Sequence, residues 1–375
     1  MTAREAYIAL NMMDNIGPVR VRAMESALGS VEAIFSAGRD ELMRAEGVGA
    51  EVAKGIVEQR SKIDPARELK KAESLGFRII TQADPEYPEP LKTLHGPPLA
   101  LYVWGTMDTK DRHAVAIVGT RHATHYGLTV ADRLGYQLAR VGFTVVSGLA
   151  RGIDTAGHKG ALKGGGRTLA VIGSGLDSIY PPENAELAQQ ISEHGAVISE
   201  YPLGRQPDRT TFPYRNRIVS GLSMGIVVVE AGLNSGALNT SDHALEQGRS
   251  VFAVPGRIDS PAAKGAHRLI KNGARLVDDV DDILQEFEFL IPPEKKKQAA
   301  SLDARPEVQL SGDEQSVVRA LWEGSLDVDS LTRKAALKMA TMNSLLIGLE
   351  MKRVVRMLPG RMVELAEGIK TTSVQ

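Results

Sequence analysis

Phe212, Arg215, Asn216 and Arg217 fall within six residues of one another in the stretch TTFPYRNRIVSGLS, Thr210 to Ser223. A guanidinium is a planar fork of donors suited to phosphate, and an aromatic ring offers a face to a flat partner. The turn-rich run PLGRQPDR precedes the stretch and adds Arg209, and the apolar run GIVVVEAG follows it. The pattern suits a ligand with negative charge and flat faces, held at the mouth of a strand. Two readings of Phe212 stay open: a stacking platform, or a core contact. On helical spacing Phe212, Asn216 and Val219 share one side, so either assignment constrains the other. Asn216 suits a turn-fixing role as well as ligand contact.

Three further turns carry the same chemistry. GTRHATHYG supplies Gly119, Thr120 and Arg121, with a helix expected from about Tyr126. SGLARGIDTAGHKGAL supplies Ser147, Gly148, Arg151 and Gly152 at a helix start. Small residues before a helix make an anion cradle. Asp154 reads as a helix cap and His158 as packing, since no serine or second carboxylate stands beside it in triad spacing. EAGLNSGALNT supplies Ser235 and Gly236, and a cationic segment follows with Lys264, His267, Arg268 and Lys271. No GxGxxG or GxxxxGK[ST] fingerprint occurs, and GSGLDS is only a partial match, which argues against dinucleotide and P-loop chemistry.

The elements that position these turns are legible. AVAIVG, FTVVSG, TLAVIG, AVISEY, GIVVVEAG and SVFAVPG are short apolar runs ending in small residues, with helical stretches between them. Such runs are buried on both faces and predict an α/β domain: a Rossmann-like, doubly wound, mostly parallel sheet. Ligands of such sheets bind beyond the carboxyl ends of the strands, where all the turns above fall. The expected organisation is a helical module of helix-hairpin-helix (SAM-like) type over 1–62, a connecting segment over 63–112, the Rossmann-like domain over 113–290, a linker over 291–310 and a winged helix over 311–375. The first module rests on two glycine hairpins, IGPVRVRAM and GVGAEVAKGI. They suit backbone phosphate contacts or a purely structural bundle. The third helix of the last module carries Thr341, Asn343 and Ser344 but little charge, which favours protein contact over sequence-specific DNA reading.

Composition bounds the chemistry. The chain has 375 residues and no cysteine, which excludes disulfides and thiolate nucleophiles or metal ligands. No metal or cofactor is expected. No apolar run approaches a membrane span and no leader peptide is evident. Net charge is −1, yet residues 205–275 hold ten Lys/Arg against five Asp/Glu, so a local anion site is the place to look.

The runs GTR, SGLARGID-AGH-GAL, FP-RNRI-SGLS, VVVEAG--SGAL-T---A-EQGR-VFAVPG and G-H-LI--GA occur in order from about Ala114 to Ala274. In these the chain resembles DNA-processing protein A, the DprA/Smf family. Asn239 and Ser241 depart from a Ser-Leu-Ile-Thr-Ala run found in many relatives. The resemblance implies a cytoplasmic protein that binds single-stranded DNA during natural transformation, loads the RecA recombinase onto it, and forms a homodimer through the Rossmann-like domain. It implies no catalysis. Unpaired DNA offers the phosphates and base faces that the opening residues suit. Arg121, Phe212, Arg215 and Arg217 are then expected in one groove at exposed positions, where their removal leaves the fold intact. The alternative is a nucleotide phosphoribohydrolase of the lysine-decarboxylase-like kind, but the PGGxGTxxE signature of that class is missing from EAGLNSGALNTSDHALE.

Overall fold

A computed structural model describes residues 1–287, 310–322, 324–352, 354–358 and 360–365. The chain forms two compact units, Met1–Ile291 and Pro292–Gln375. The linker expected over 291–310 lies almost wholly outside the described residues.

The first unit is built on one nine-stranded sheet. Its strands are β1 (Phe77–Thr81), β2 (Ala100–Gly105), β3 (Ala114–Val118), β4 (Thr144–Ser147), β5 (Thr168–Ile172), β6 (Ala196–Ser199), β7 (Gly225–Val228), β8 (Ser250–Ala253) and β9 (Arg275–Leu276). Their order across the sheet is β1-β2-β6-β5-β4-β3-β7-β8-β9. From β6 to β9 all neighbours are parallel, and β1 and β2 are added antiparallel at one end. The six runs expected as strands are β3 to β8, and every residue of β3, β4, β5 and β6 is buried. In the connecting segment 63–112 the runs FRIIT and LALYVWG, which also read as strands, form β1 and β2, and the segment supplies the core residues Leu101 and Val103.

The chain steps outward from β3 through β4 and β5 to β6, then returns to place β7 on the other side of β3. The connections from β3 and β7 therefore run in opposite directions. The crevice between their carboxyl ends is the switch point of the fold.

The outer edge of β1 is sealed. Arg4 donates to the Ile79 carbonyl at 2.9 Å, and the Thr81 amide donates to Asp84 Oδ2 at 2.7 Å. The two sealing side chains stand 3.6 Å apart as an ion pair.

Before the sheet come the helices Ala3–Asn11, Pro18–Leu28, Ala33–Ser36, Arg39–Leu42 and Ala50–Gln59, with their own core around Leu10, Met24, Ile34, Leu42 and Ile56. Gly17 and Gly49 cap the two hairpin helices, and Pro18 occupies the first helical position, where its missing N–H costs nothing. The Asn11 side chain donates to the Glu200 carbonyl at 2.9 Å, which ties this module to the end of β6.

In the second unit, helices Gly312–Ala320, Val328–Lys334 and Met339–Met351 pack with a three-stranded sheet of β10 (Leu326–Asp327), β11 (Val355–Leu358) and β12 (Met362–Leu365), ordered β10-β12-β11. This is a winged helix. Its third helix buries Met342, Leu346 and Leu349, and Thr341, Asn343 and Ser344 are exposed on it.

Candidate nucleic-acid interface

Beyond β3, the Thr120 amide donates to the Glu230 carbonyl at 2.7 Å, joining the turns after β3 and β7. Gly152 has φ +74°, and a side chain there would strike the Thr120 carbonyl, so this position requires glycine. A helix runs from His125 to Val141, one residue earlier than expected. Its cap, Thr124, is fixed by Glu230: the amide donates at 2.9 Å and the hydroxyl at 2.6 Å. Glu230 is therefore committed to holding two turns together.

Asp154 does not cap its own helix. It reaches back to accept from the Gly148 amide at 3.0 Å and so shapes the turn after β4. The Ser147 hydroxyl donates to the Ile117 carbonyl at 2.6 Å and is fully buried. This corrects its placement among the residues facing a ligand: it ties β4 to β3.

The arginines of the opening stretch need a larger correction. Both lie in helix Thr211–Gly221 and are buried there rather than exposed. Arg217 is 6% exposed, and its Nη1 and Nη2 donate to Glu200 at 3.1 and 2.6 Å. Its guanidinium also sits 3.9 Å from the centre of the Tyr214 ring. Burial pushes the Glu200 carboxyl up, with Arg217 opposing. With its charge compensated inside the fold, Arg217 has no free fork for phosphate. Arg215 is 4% exposed and donates to the Gly148 carbonyl at 2.7 Å. Burial pushes its pKa down to about 10, with Asp154 opposing, so it stays cationic at neutral pH. Unlike Arg217, it lines a crevice at the switch point.

That crevice has a volume of about 390 Å³. Gly119, Thr120 and Arg121 line it from β3, Gly148 from the β4 turn, Arg215 and Asn216 from helix 211–221, and Ser235 and Gly236 from the β7 turn. The Ser235 hydroxyl accepts from the Ala237 amide at 3.3 Å, capping helix Gly236–Glu246. The Asn216 side chain reaches the Gly236 carbonyl at 3.4 Å, so it fixes this turn. Arg209 and Lys264 are exposed, but neither lines the crevice. The Lys264 ammonium is turned onto the Ile258 carbonyl.

Beside the crevice, the expected Arg121, Phe212 and Arg151 are joined by Tyr180, which sequence reasoning missed. Phe212 is half-buried, and its ring centre lies 5.5 Å from that of Tyr180 at a 36° tilt. Arg121 covers Phe212 at 5.3 Å and Arg151 covers Tyr180 at 5.9 Å. The result is two aromatic rings flanked by two exposed guanidiniums, with Arg151 also paired to Glu183. Tyr180 comes from the long loop after β5. Its signal in sequence was weak, because one tyrosine among prolines resembles any turn.

Gly148 tests how tightly the turn is built. A Cβ there would stand 2.7 Å from Asp154 Oδ2 and 2.8 Å from both terminal nitrogens of Arg215, all buried. Gly148→Ala should therefore cost about 1–3 kcal/mol in urea unfolding, the range of an overpacked core. Unchanged stability would mean that Arg215 can move aside.

Comparison with known proteins follows this geometry. Residues 78–288 match the family model described as DNA recombination-mediator protein A. Residues 7–77 match a SAM-like helix-hairpin-helix tandem, and residues 301–361 the DprA winged helix domain. The chain is 38% identical over 280 residues to a Synechocystis protein named Smf, covering 73% of this chain and 70% of that one. It is 42% identical over 213 residues to the Bacillus subtilis DNA processing protein DprA, covering 56% of this chain and 72% of that one. The solved structure of DNA processing protein A from Streptococcus pneumoniae superposes with a TM-score of 0.67 at 34% identity, covering 76% of this chain and 98% of the other. The Helicobacter pylori homologue, whose structure describes a single-stranded DNA binding mode, superposes with a TM-score of 0.51 at 29% identity, covering 58% and 97%.

Proposed function

The chain belongs to the DNA-processing protein A (DprA/Smf) family, and on that premise we propose that it binds single-stranded DNA through the carboxyl-end face of its sheet and passes the strand to the RecA recombinase. The observation that carries this reading is the Arg121–Phe212–Tyr180–Arg151 stack beside the switch-point crevice. Rings serve unpaired bases and guanidiniums serve phosphates. Arg215 contributes positive potential from within the wall. Gly119, Thr120, Gly148, Ser235 and Gly236 let a backbone approach closely. Arg217 and Ser147 act by holding the scaffold. Arg209 and Lys264 are reserve contacts on the rim.

The test is anisotropy of labelled oligothymidine against a duplex of equal length. Single strands should bind more tightly. Phe212→Ala should cost about 1–3 kcal/mol with little change in salt dependence. Arg121→Ala should flatten the plot of log affinity against log salt by about 0.7. Equal affinity for duplex, or Arg121→Ala matching wild type, would sink the reading.

The action proposed is binding without turnover. Of the acid–base side chains that line the crevice, Asp154 is buried and committed to the Gly148 amide, and His122 is exposed. Among the described residues no cluster of metal-ligating side chains occurs and no helix is long and apolar enough to cross a membrane. A homodimer formed by this domain is part of the proposal. Its support is that exposed Leu245, Ile258 and Leu276 all belong to elements at the β8–β9 end, with Ile258 82% exposed. Sedimentation of the full chain tests it: charged substitution of Ile258 should shift the protein toward monomer.

A further inference from the structure

Arg121 belongs to more than the crevice. It also lines the small cleft between Phe212 and Tyr180, and a groove of about 570 Å³ between helices His125–Val141 and Ile153–Lys163. The two helices meet closely where Gly135 faces Gly157 and Gly160 faces the Asp132 carbonyl; a Cβ at Gly135 or Gly160 would overlap backbone. The groove lies along their N-terminal halves.

Its walls are mixed: the polar side chains His122, His125, Thr129 and Lys159 line it with Arg121, beside exposed Leu128. His122, His125, Thr129 and Lys159 are exposed. Asp132 is the one acid among its described lining residues, and it is already paired with Lys163. No Phe, Tyr or Trp ring lines it. The switch-point crevice, by contrast, is closed at its inner wall by Asp154, Arg215 and Val219, all buried.

From this arrangement we infer that the groove between the two helices carries the sugar-phosphate backbone of a single strand onward from Arg121, with Lys159 as its phosphate contact. The inference rests on the proposed single-strand binding. Arg121 is the junction, the stacked rings take bases on one side, and the cationic groove takes phosphates on the other. Lys159 has no partner among the described residues, so its charge is available. Contacts of this kind position a strand without reading its sequence.

The experiment compares oligothymidines of about four and about sixteen nucleotides, the span of site sizes seen in single-strand binders. Lys159→Gln should leave the short strand unaffected. For the long strand it should weaken binding about three- to tenfold and flatten the salt plot by about 0.7. Lys159→Glu should weaken the long strand further. Arg140→Gln, an exposed change at the far end of the same helix pair, should match wild type at both lengths. Circular dichroism checks folding of each variant. If wild type binds both strands and Lys159→Gln matches it, the groove is overturned and the stacking site stands. If Lys159→Gln weakens both lengths equally, Lys159 belongs to the stacking site and the groove is again overturned. If wild type binds neither strand, the groove falls together with the reading beneath it.

Discussion

Arg217→Met should destabilise the protein by about 3–5 kcal/mol, the cost of leaving one member of a buried ion pair alone. Methionine keeps much of the apolar stem and removes the charge. Glu200, 7% exposed, then has no cation, and burial favours its protonated form. A carboxyl whose folded pKa is raised contributes stability below its unfolded value and loses it as pH rises through the folded value. The deficit of Arg217→Met should therefore be largest at neutral pH and shrink toward pH 4.5, the ordinary value of the group. The double variant Arg217→Met/Glu200→Gln should recover much of the loss, since a neutral amide replaces the stranded charge. Urea unfolding of wild type, Arg217→Met, Glu200→Gln and the double variant measures the coupling. A single variant as stable as wild type would return Arg217 to the list of available phosphate ligands.

The second large effect concerns His158. It is fully buried in helix Ile153–Lys163, with Nδ1 2.7 Å from the Thr168 hydroxyl. That hydroxyl donates to the Val145 carbonyl at 2.7 Å, so it accepts from the histidine, which places the proton on Nδ1. Nε2 has no partner. A second proton would create a buried cation with nothing to receive it. Burial, with the nearby Arg215 adding repulsion, pushes the pKa from 6.5 down to about 3. Between these values the unfolded chain binds the proton and the folded one does not. The stability from this site is full above pH 6.5 and falls with pH at about 1.4 kcal/mol per unit until pH reaches about 3. Buried Asp154 and Glu200, whose pKa values are raised, bend the curve the opposite way at acid pH. Subtracting the curve of His158→Asn isolates the histidine: the stability difference between the two proteins should change with that slope between pH 6.5 and 5. A flat difference would mean that His158 is protonated or hydrated in the fold.

The strands of the parallel core were legible because burial on both faces leaves an unmistakable apolar run, as in AVAIV and TLAVI. The turns after them were legible because close approach demands small residues. Gly119 shows why: a Cβ there would stand 2.8 Å from the Glu230 carbonyl. The sorting of arginines was not legible. Arg217 is buried because Glu200, 17 residues earlier, directly follows β6 and meets it in the fold. Nothing local distinguishes it from Arg121, which stays exposed. Tyr180 escaped for the same reason, since its pairing with Phe212 depends on where the loop after β5 meets the start of helix Thr211–Gly221. The antiparallel addition of β1 and β2 was likewise hidden, because FRIIT and LALYVWG declare strands but not which sheet or direction they join.

The Arg4–Asp84 pair has a consequence for solubility. An open sheet ends in rows of unpaired amides and carbonyls, which can recruit a strand from another molecule and start aggregation. At the β1 edge the Ile79 carbonyl and the Thr81 amide are already occupied by this pair of charges. At the opposite edge, β9 is only two residues long, and Arg275 on it is paired with Glu286. Neither end offers a long bare template. Arg4→Ala should leave the fold nearly as stable, because an exposed ion pair contributes little. Its effect should appear under concentration and heat, as faster growth of light scattering and of thioflavin-positive aggregates, with Asp84→Ala behaving alike.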